Sequence, residues 1–186
     1  MTAEPPLEFS WRLPVGSLGR EPRRVRLAAD SAAREALARR FDLLALDSLV
    51  GEVTVTRAPD GPTVHVQGRM SADVVQACVV TLEPVAAHIE APVDARFAPA
   101  EVLSAAGNAA CEVAFSIEDE DPPEPFVDDS IELGELLAQL LGMALDPYPR
   151  APGVTAPAWR DPELPVDDDA PPHPFATLAA LKKNGD

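Results

Sequence analysis

The sequence predicts an α+β fold: an antiparallel, curled or barrel-like β-sheet core with two main helices and a short C-terminal helix. Three observations lead there. Apolar residues alternate at period two in several separate stretches, the pattern of half-buried strands. Two other stretches, 31–44 and 130–144, repeat apolar residues at helical spacing. Twenty-one prolines among 186 residues, roughly twice ordinary usage, punctuate the chain into short pieces joined by extended connections.

Taken in order, residues 7–29 alternate loosely around the turn signals Pro14, Gly16, Gly19 and Pro22. Val25 and Leu27 point one way and Arg24 and Arg26 the other, as in a short half-buried strand. A helix over 31–44 follows, with Asp30 as its N-cap and Ala33, Leu37, Phe41 and Leu44 on one face. The clearest hairpin comes next. Alternation over 49–56 and 63–70 is interrupted by the turn residues Pro59, Asp60, Gly61 and Pro62. Further β-rich stretches are expected at 74–82, 85–97 and 111–117, with Gly107-Asn108 as a turn before the last. Hairpin-like links favour an antiparallel sheet, curled or closed to hide its edges. Residues 118–125 read as an acidic, proline-rich loop. The second helix starts from Asp129, with Glu132 completing a capping box. It buries Leu133, Leu136, Leu137, Leu140 and Leu141, and Pro147 and Pro149 end it.

The domain organisation that follows is a β-rich core over 1–149, a proline- and aspartate-rich linker over 150–173, and a docking helix over 174–183. Phe175, Leu178 and Leu181 give that last helix its apolar side. At net charge −16 the chain is acidic, but unevenly so. Residues 1–57 hold nine arginines against eight carboxylates, whereas 82–147 hold fifteen carboxylates and one base, Arg96. No apolar run is long enough to span a bilayer, and residues 1–9 lack the apolar core of a secretory signal. Two cysteines without such a signal point to reduced thiols and a cytoplasmic protein away from membranes.

Candidate chemistry is sparse. Cys78, Cys111, His65, His88 and His173 are scattered, without the local pairs that assemble a zinc site, so no metal or other cofactor is expected. No nucleophile-elbow, Walker or dinucleotide-binding glycine pattern occurs. The carboxylate runs lie in proline-bounded loops, where general acid–base catalysis finds no perturbed group. The expectation is a protein that is not an enzyme. Phe9 and Trp11 beside Arg12 make one aromatic–basic neighbourhood, readable as a base-stacking site or as a strand turning one aromatic inward.

Three stretches carry a resemblance. Residues 72–85, with Cys78, Leu82, Glu83 and Pro84, are similar to the central signature of the YceD family. The leucine helix at 131–137 with its proline-rich exit at 145–150, and the Pro-Phe-x-x-Leu ending at 174–178, resemble that family in the same order. The similarity spans about 7–183. It implies a non-catalytic bacterial factor associated with accumulation of large-subunit (23S) ribosomal RNA, with relatives in plant plastids. Many relatives carry a further cysteine three residues after the first, and another after the proline-rich exit, which together suggest a metal cluster. This chain has Thr81 and, around the exit, Arg150 and Ala151 instead. The residues themselves suggest a structural role: Pro84 ending a buried strand, and Glu83 bonding nearby backbone.

Two partner classes remain. An RNA-contacting factor for a 23S rRNA precursor or assembly intermediate would use Arg20, Arg23, Arg24, Arg26, Arg39 and Arg40 as a local basic face. An acidic adaptor or chaperone would hold a basic ribosomal protein through Glu118, Asp119, Glu120 and Asp121.

Overall fold

The computed structural model describes residues 7–59, 61–103, 122–126 and 128–155. The expectations for 111–117, for Glu118, Asp119, Glu120 and Asp121, and for the helix over 174–183 lie outside those residues. Along the described chain run β1 (Arg12–Pro14), a single 3-10 turn (Val15–Ser17), β2 (Arg23–Ala28), α1 (Ser31–Arg40), β3 (Ala45–Arg57) and β4 (Val64–Ala77). Then come β5 (Pro84–Pro99), β6 (Glu124–Phe126), β7 (Ser130–Glu132) and α2 (Leu133–Ala144). Strands β2-β3-β4-β5-β6 form one sheet in that order, and β1 pairs with β7 in a second, two-stranded one.

The fold class is α+β, as expected, but the large sheet is mixed: β6 runs parallel to β5, and the other pairings are antiparallel. Nor does it close into a barrel. Among the described residues β2 and β6 are two separate edges. Closure is not needed to hide the apolar face, because α2 is packed against it. Leu133, Leu136, Leu137 and Leu141 join Val53, Val55, Val66 and Met70 in one buried cluster. Gly51 makes the approach possible, since a Cβ there would stand 2.5 Å from Leu137 Cδ1. A larger residue there would force the Leu137 side chain to move from its place over the sheet.

Local rules explain most boundaries. Asp30 caps α1, its Oδ1 accepting from the Ala33 N–H at 2.8 Å. The helix is shorter than the expected 31–44. It ends at Arg40, and Asp42 reverses the chain in the left-handed region at φ 53°. That turn releases Leu44, whose N–H donates to the Val75 carbonyl at 2.8 Å. In the long hairpin Val55 faces Val66 and Val53 faces Gly68, with one irregularity between Leu46 and Ser48. Strand β4 runs unbroken to Ala77, so the stretches expected at 63–70 and 74–82 are one strand followed by a turn. Nothing between them breaks the alternation, and Ala72 and Val74 stay on the buried face.

The capping box expected at Asp129 does not form. Asp129 is itself left-handed, at φ 51°. Its side chain accepts from the Gly16 N–H at 3.1 Å, and its carbonyl from the Val15 N–H at 2.8 Å. Residues 130–132 instead become β7, and Glu132 turns across the pair to Arg12 at 2.7 Å and Ser10 Oγ at 3.0 Å. A long-range strand pairing has displaced a local cap. Phe9 is buried in the core, which makes it the one aromatic turned inward, and Trp11 is partly buried against that core.

Candidate functional site

Two regions hold the residues singled out from the sequence. The first is the β2 edge. Val25 and Leu27 face the core, which forces Arg24 and Arg26 onto the opposite face of the sheet, with Arg23 exposed at the strand's start. Cross-strand register sets Arg26 beside Glu52 and Glu52 beside Arg69. Glu52 is accordingly shared, 3.5 Å from Arg26 Nε and 2.9 Å from Arg69 Nη2. Two guanidinium groups on one exposed carboxylate leave a net positive site, and exposed pairs of this kind hold by only about 0–1 kcal/mol. Arg24 lies opposite Thr54 and has no carboxylate partner among the described residues. Arg23 Nη1 donates to Ser17 Oγ at 3.1 Å. Arg20 is exposed in the connection before β2.

The other two arginines stand elsewhere. Arg39 is exposed at the end of α1. Arg40 is committed to the fold: it forks onto Glu135 with both bonds at 3.0 Å, reaches Glu8 at 3.1 Å and lies 5.3 Å from the Phe41 ring centre. The Glu135 hydrogen bonds push its pKa further up. The structure thus joins Arg24 and Arg26 with Arg69 on one sheet face, whereas Arg23 alternates to the other face and reaches Ser17. Arg69 was passed over in the sequence because the register of the hairpin was unknown.

The second region is the turn between β4 and β5. The Cys78 N–H donates to the Glu83 carbonyl at 2.8 Å, and the Leu82 N–H to the Cys78 carbonyl at 2.9 Å. Leu82 sits in the left-handed region at φ 62° with its side chain 76% exposed. Pro84 does not end a strand; it opens β5 opposite Ala77. The Glu83 carboxylate accepts from the Thr81 hydroxyl at 3.2 Å, a side chain where nearby backbone was expected, and the Glu83 N–H lies 3.4 Å from the same hydroxyl. The turn is tied to the chain leaving α2. The Val79 N–H donates to the Pro149 carbonyl at 2.9 Å, Gln76 Nε2 to the Asp146 carbonyl at 2.9 Å, and the Ala151 N–H to Cys78 Sγ at 3.4 Å. The buried Cys78 thiol is the pin between the two loops. Its pKa is pulled down to about 7, by the Thr81 hydroxyl first and then by the N–H groups of Ala151, Thr81 and Val80.

The imidazoles lie on the outer sheet face. His65 Nε2 is 2.7 Å from Asp94, and His88 Nδ1 is 2.6 Å from Asp73. Ser48 Oγ reaches the other oxygen of Asp73 at 2.6 Å. This row of hydroxyl, carboxylate and imidazole has the wrong order for a nucleophile, because the base does not face the hydroxyl. Asp73 is lowered by Ser48 and then His88, while His88 is raised by Asp73.

The family model of the large ribosomal RNA subunit accumulation protein YceD matches residues 66–182. The chain belongs to the YceD family. No curated protein and no solved structure matches it. The matched span starts within β4, later than the resemblance over 7–183 had placed it, so it takes in the Cys78 turn and leaves β2 and its arginines outside. Among the described residues no group of three or more histidine, cysteine, aspartate or glutamate side chains is gathered that could hold a metal ion. At the positions of the further cysteines, Thr81 and Ala151 converge on Cys78 and supply hydrogen bonds to its sulfur in place of second and third thiolates. No helix among the described residues is long and apolar enough to cross a membrane.

Proposed function

We propose that this YceD-family chain is a non-catalytic factor in large ribosomal subunit biogenesis that supports 23S rRNA accumulation or processing. Family membership over residues 66–182 is the observation that carries the reading. Contact with a 23S precursor, or with an assembly intermediate containing it, is assigned to Arg24 and Arg26 on the β2 edge with Arg69 beside them, to Arg23 at the start of the same strand, and to Arg20 and Arg39 before and after it in the sequence. RNA affinity comes largely from cation–phosphate contacts and counterion release, and a chain of net charge −16 can supply these only where its cations cluster. Arginine forks bound to one exposed carboxylate exchange it for phosphate at little cost. Arg40, held by two glutamates, supports the fold instead.

The test is recovery of partners on the full chain from lysate, with and without ribonuclease, read by RNA sequencing and mass spectrometry. Ribonuclease-sensitive recovery of 23S precursors, lost on Arg23→Glu/Arg24→Glu/Arg26→Glu, is the expected result. Ribonuclease-resistant recovery of one basic ribosomal protein, unaffected by those changes, would favour the acidic adaptor. Recovery of neither would remove the ribosomal reading.

A further inference from the structure

We propose that the β4–β5 end of the protein is a docking surface for a basic polypeptide segment that carries an exposed apolar side chain. Four large apolar residues stand in solvent on the two loops joined there: Val79 at 47%, Val80 at 40%, Leu82 at 76% and Tyr148 at 70%. The bonds from Val79 to Pro149 and from Ala151 to Cys78 Sγ hold those loops side by side, so the four side chains share one end of the sheet. Clustered exposure of this kind is the mark of an interaction surface, whereas isolated surface apolars need no explanation.

Backbone geometry adds an independent argument. Left-handed backbone is disfavoured for any residue with a Cβ, and glycine is the ordinary occupant. Leu82 takes it at φ 62° while leaving most of its side chain in water, so burial within the protein does not offset the strain. Strain that the surrounding structure holds in place is characteristic of ligand-contacting sites. Here the turn is closed by the Cys78–Glu83 and Leu82–Cys78 backbone bonds and pinned from the exit loop. A surface fixed before binding loses little entropy when a partner arrives.

The charges select the occupant. Glu83 and Asp146 lie in the two loops, and Asp42 and Asp47 flank Leu44, whose N–H bonds Val75 near the end of β4. Across residues 42–47, 78–83 and 146–151 these four carboxylates stand against one cation, Arg150. This rim repels phosphate, which argues against RNA, and it repels a second copy of itself. A segment with an apolar anchor flanked by lysine or arginine satisfies both the apolar centre and the acidic rim.

The experiment places a benzophenone amino acid at position 82 of the full chain and irradiates it with the RNA-free protein fraction of large ribosomal subunits. The choice of probe rests on the proposed ribosomal role. The expected product is one cross-linked segment with an apolar residue between basic ones. Its yield should fall about tenfold on Tyr148→Asp, with an unchanged melting temperature, and should not respond to Arg24→Glu. A cross-link into the same chain or to a second copy would overturn the proposal, as would capture of added ribosomal RNA in its place or a yield insensitive to Tyr148→Asp. If the chain still recovers 23S precursors yet gives no cross-link at 82, the docking surface alone fails. Loss of both removes the ribosomal reading as well.

Discussion

At the β2 edge, arginines stand in water on a six-residue strand held by one neighbour. At the β4–β5 turn, a buried thiol ties two loops together and turns leucine, valine and tyrosine side chains outward. The first region lies outside the matched family span and the second within it. Their physical economies differ. A charged side chain is content in solvent, so arginines can be added to a strand face without altering the fold. Apolar side chains are not, so exposing them requires a clamp that prevents the loop from folding inward. Changes at the β2 edge should therefore be read in binding and its salt dependence, and changes at the turn in stability as well.

Both regions rest on the contact between α2 and the sheet. Leu137→Ala, which empties the space over Gly51, should cost about 2–5 kcal/mol in urea denaturation. Hydrogen exchange at the Val25 and Cys78 amides should accelerate together; acceleration at one alone would break the comparison into two independently held pieces. Next in size, Arg23→Glu/Arg24→Glu/Arg26→Glu should weaken binding to a 23S precursor fragment by about tenfold or more at low salt. The same variant should change stability by less than about 0.5 kcal/mol, checked by the urea midpoint.

Leu82→Gly should separate stability from binding at the turn. Relief of the left-handed backbone, roughly 1–2 kcal/mol, less the cost of glycine's flexibility when unfolded, predicts a net gain of about 0.5–1 kcal/mol. Docking measured from a benzophenone at position 79 should weaken. A variant that loses stability would mean that Leu82 is held by packing.

A smaller effect concerns pH. The Cys78 pKa lies at about 7, below the ordinary range of a cysteine thiol near 9. Its contribution is thus present above the unfolded thiol's range and is lost as pH falls through about 7. The urea midpoint should rise between these values, and Cys78→Ser should flatten that rise. Smallest is His88, whose raised pKa reflects Asp73. Its contribution is present below the ordinary imidazole range and is lost as pH climbs through the raised value. His88→Gln should remove that slope in the same titration.

What was legible in the sequence was local. Asp30 caps α1 because its acceptor needs only the next turn, and the leucine stripe of α2 buries the side that its spacing dictates. The hairpin between β3 and β4 was readable from alternation around one turn. What was not legible depended on distant partners. Glu132 leaves its cap for Arg12, 120 residues away, and Arg40 is taken by Glu135, 95 residues away. The sharing of Glu52 between Arg26 and Arg69 required the strand register. Cys78 could be recognised as part of a family signature, but its role as a pin depends on a loop 73 residues further on.

RNA contact through the β2 edge is the central assignment for this protein. The deciding measurement is a salt titration of affinity for a 23S precursor fragment, comparing the full chain with Arg23→Glu/Arg24→Glu/Arg26→Glu. Affinity of the full chain should fall steeply with salt, and the variant should show weaker binding with a slope shallower by roughly 2–3. Equal affinities and equal slopes would contradict the assignment and leave the arginines as solvated surface on an edge strand.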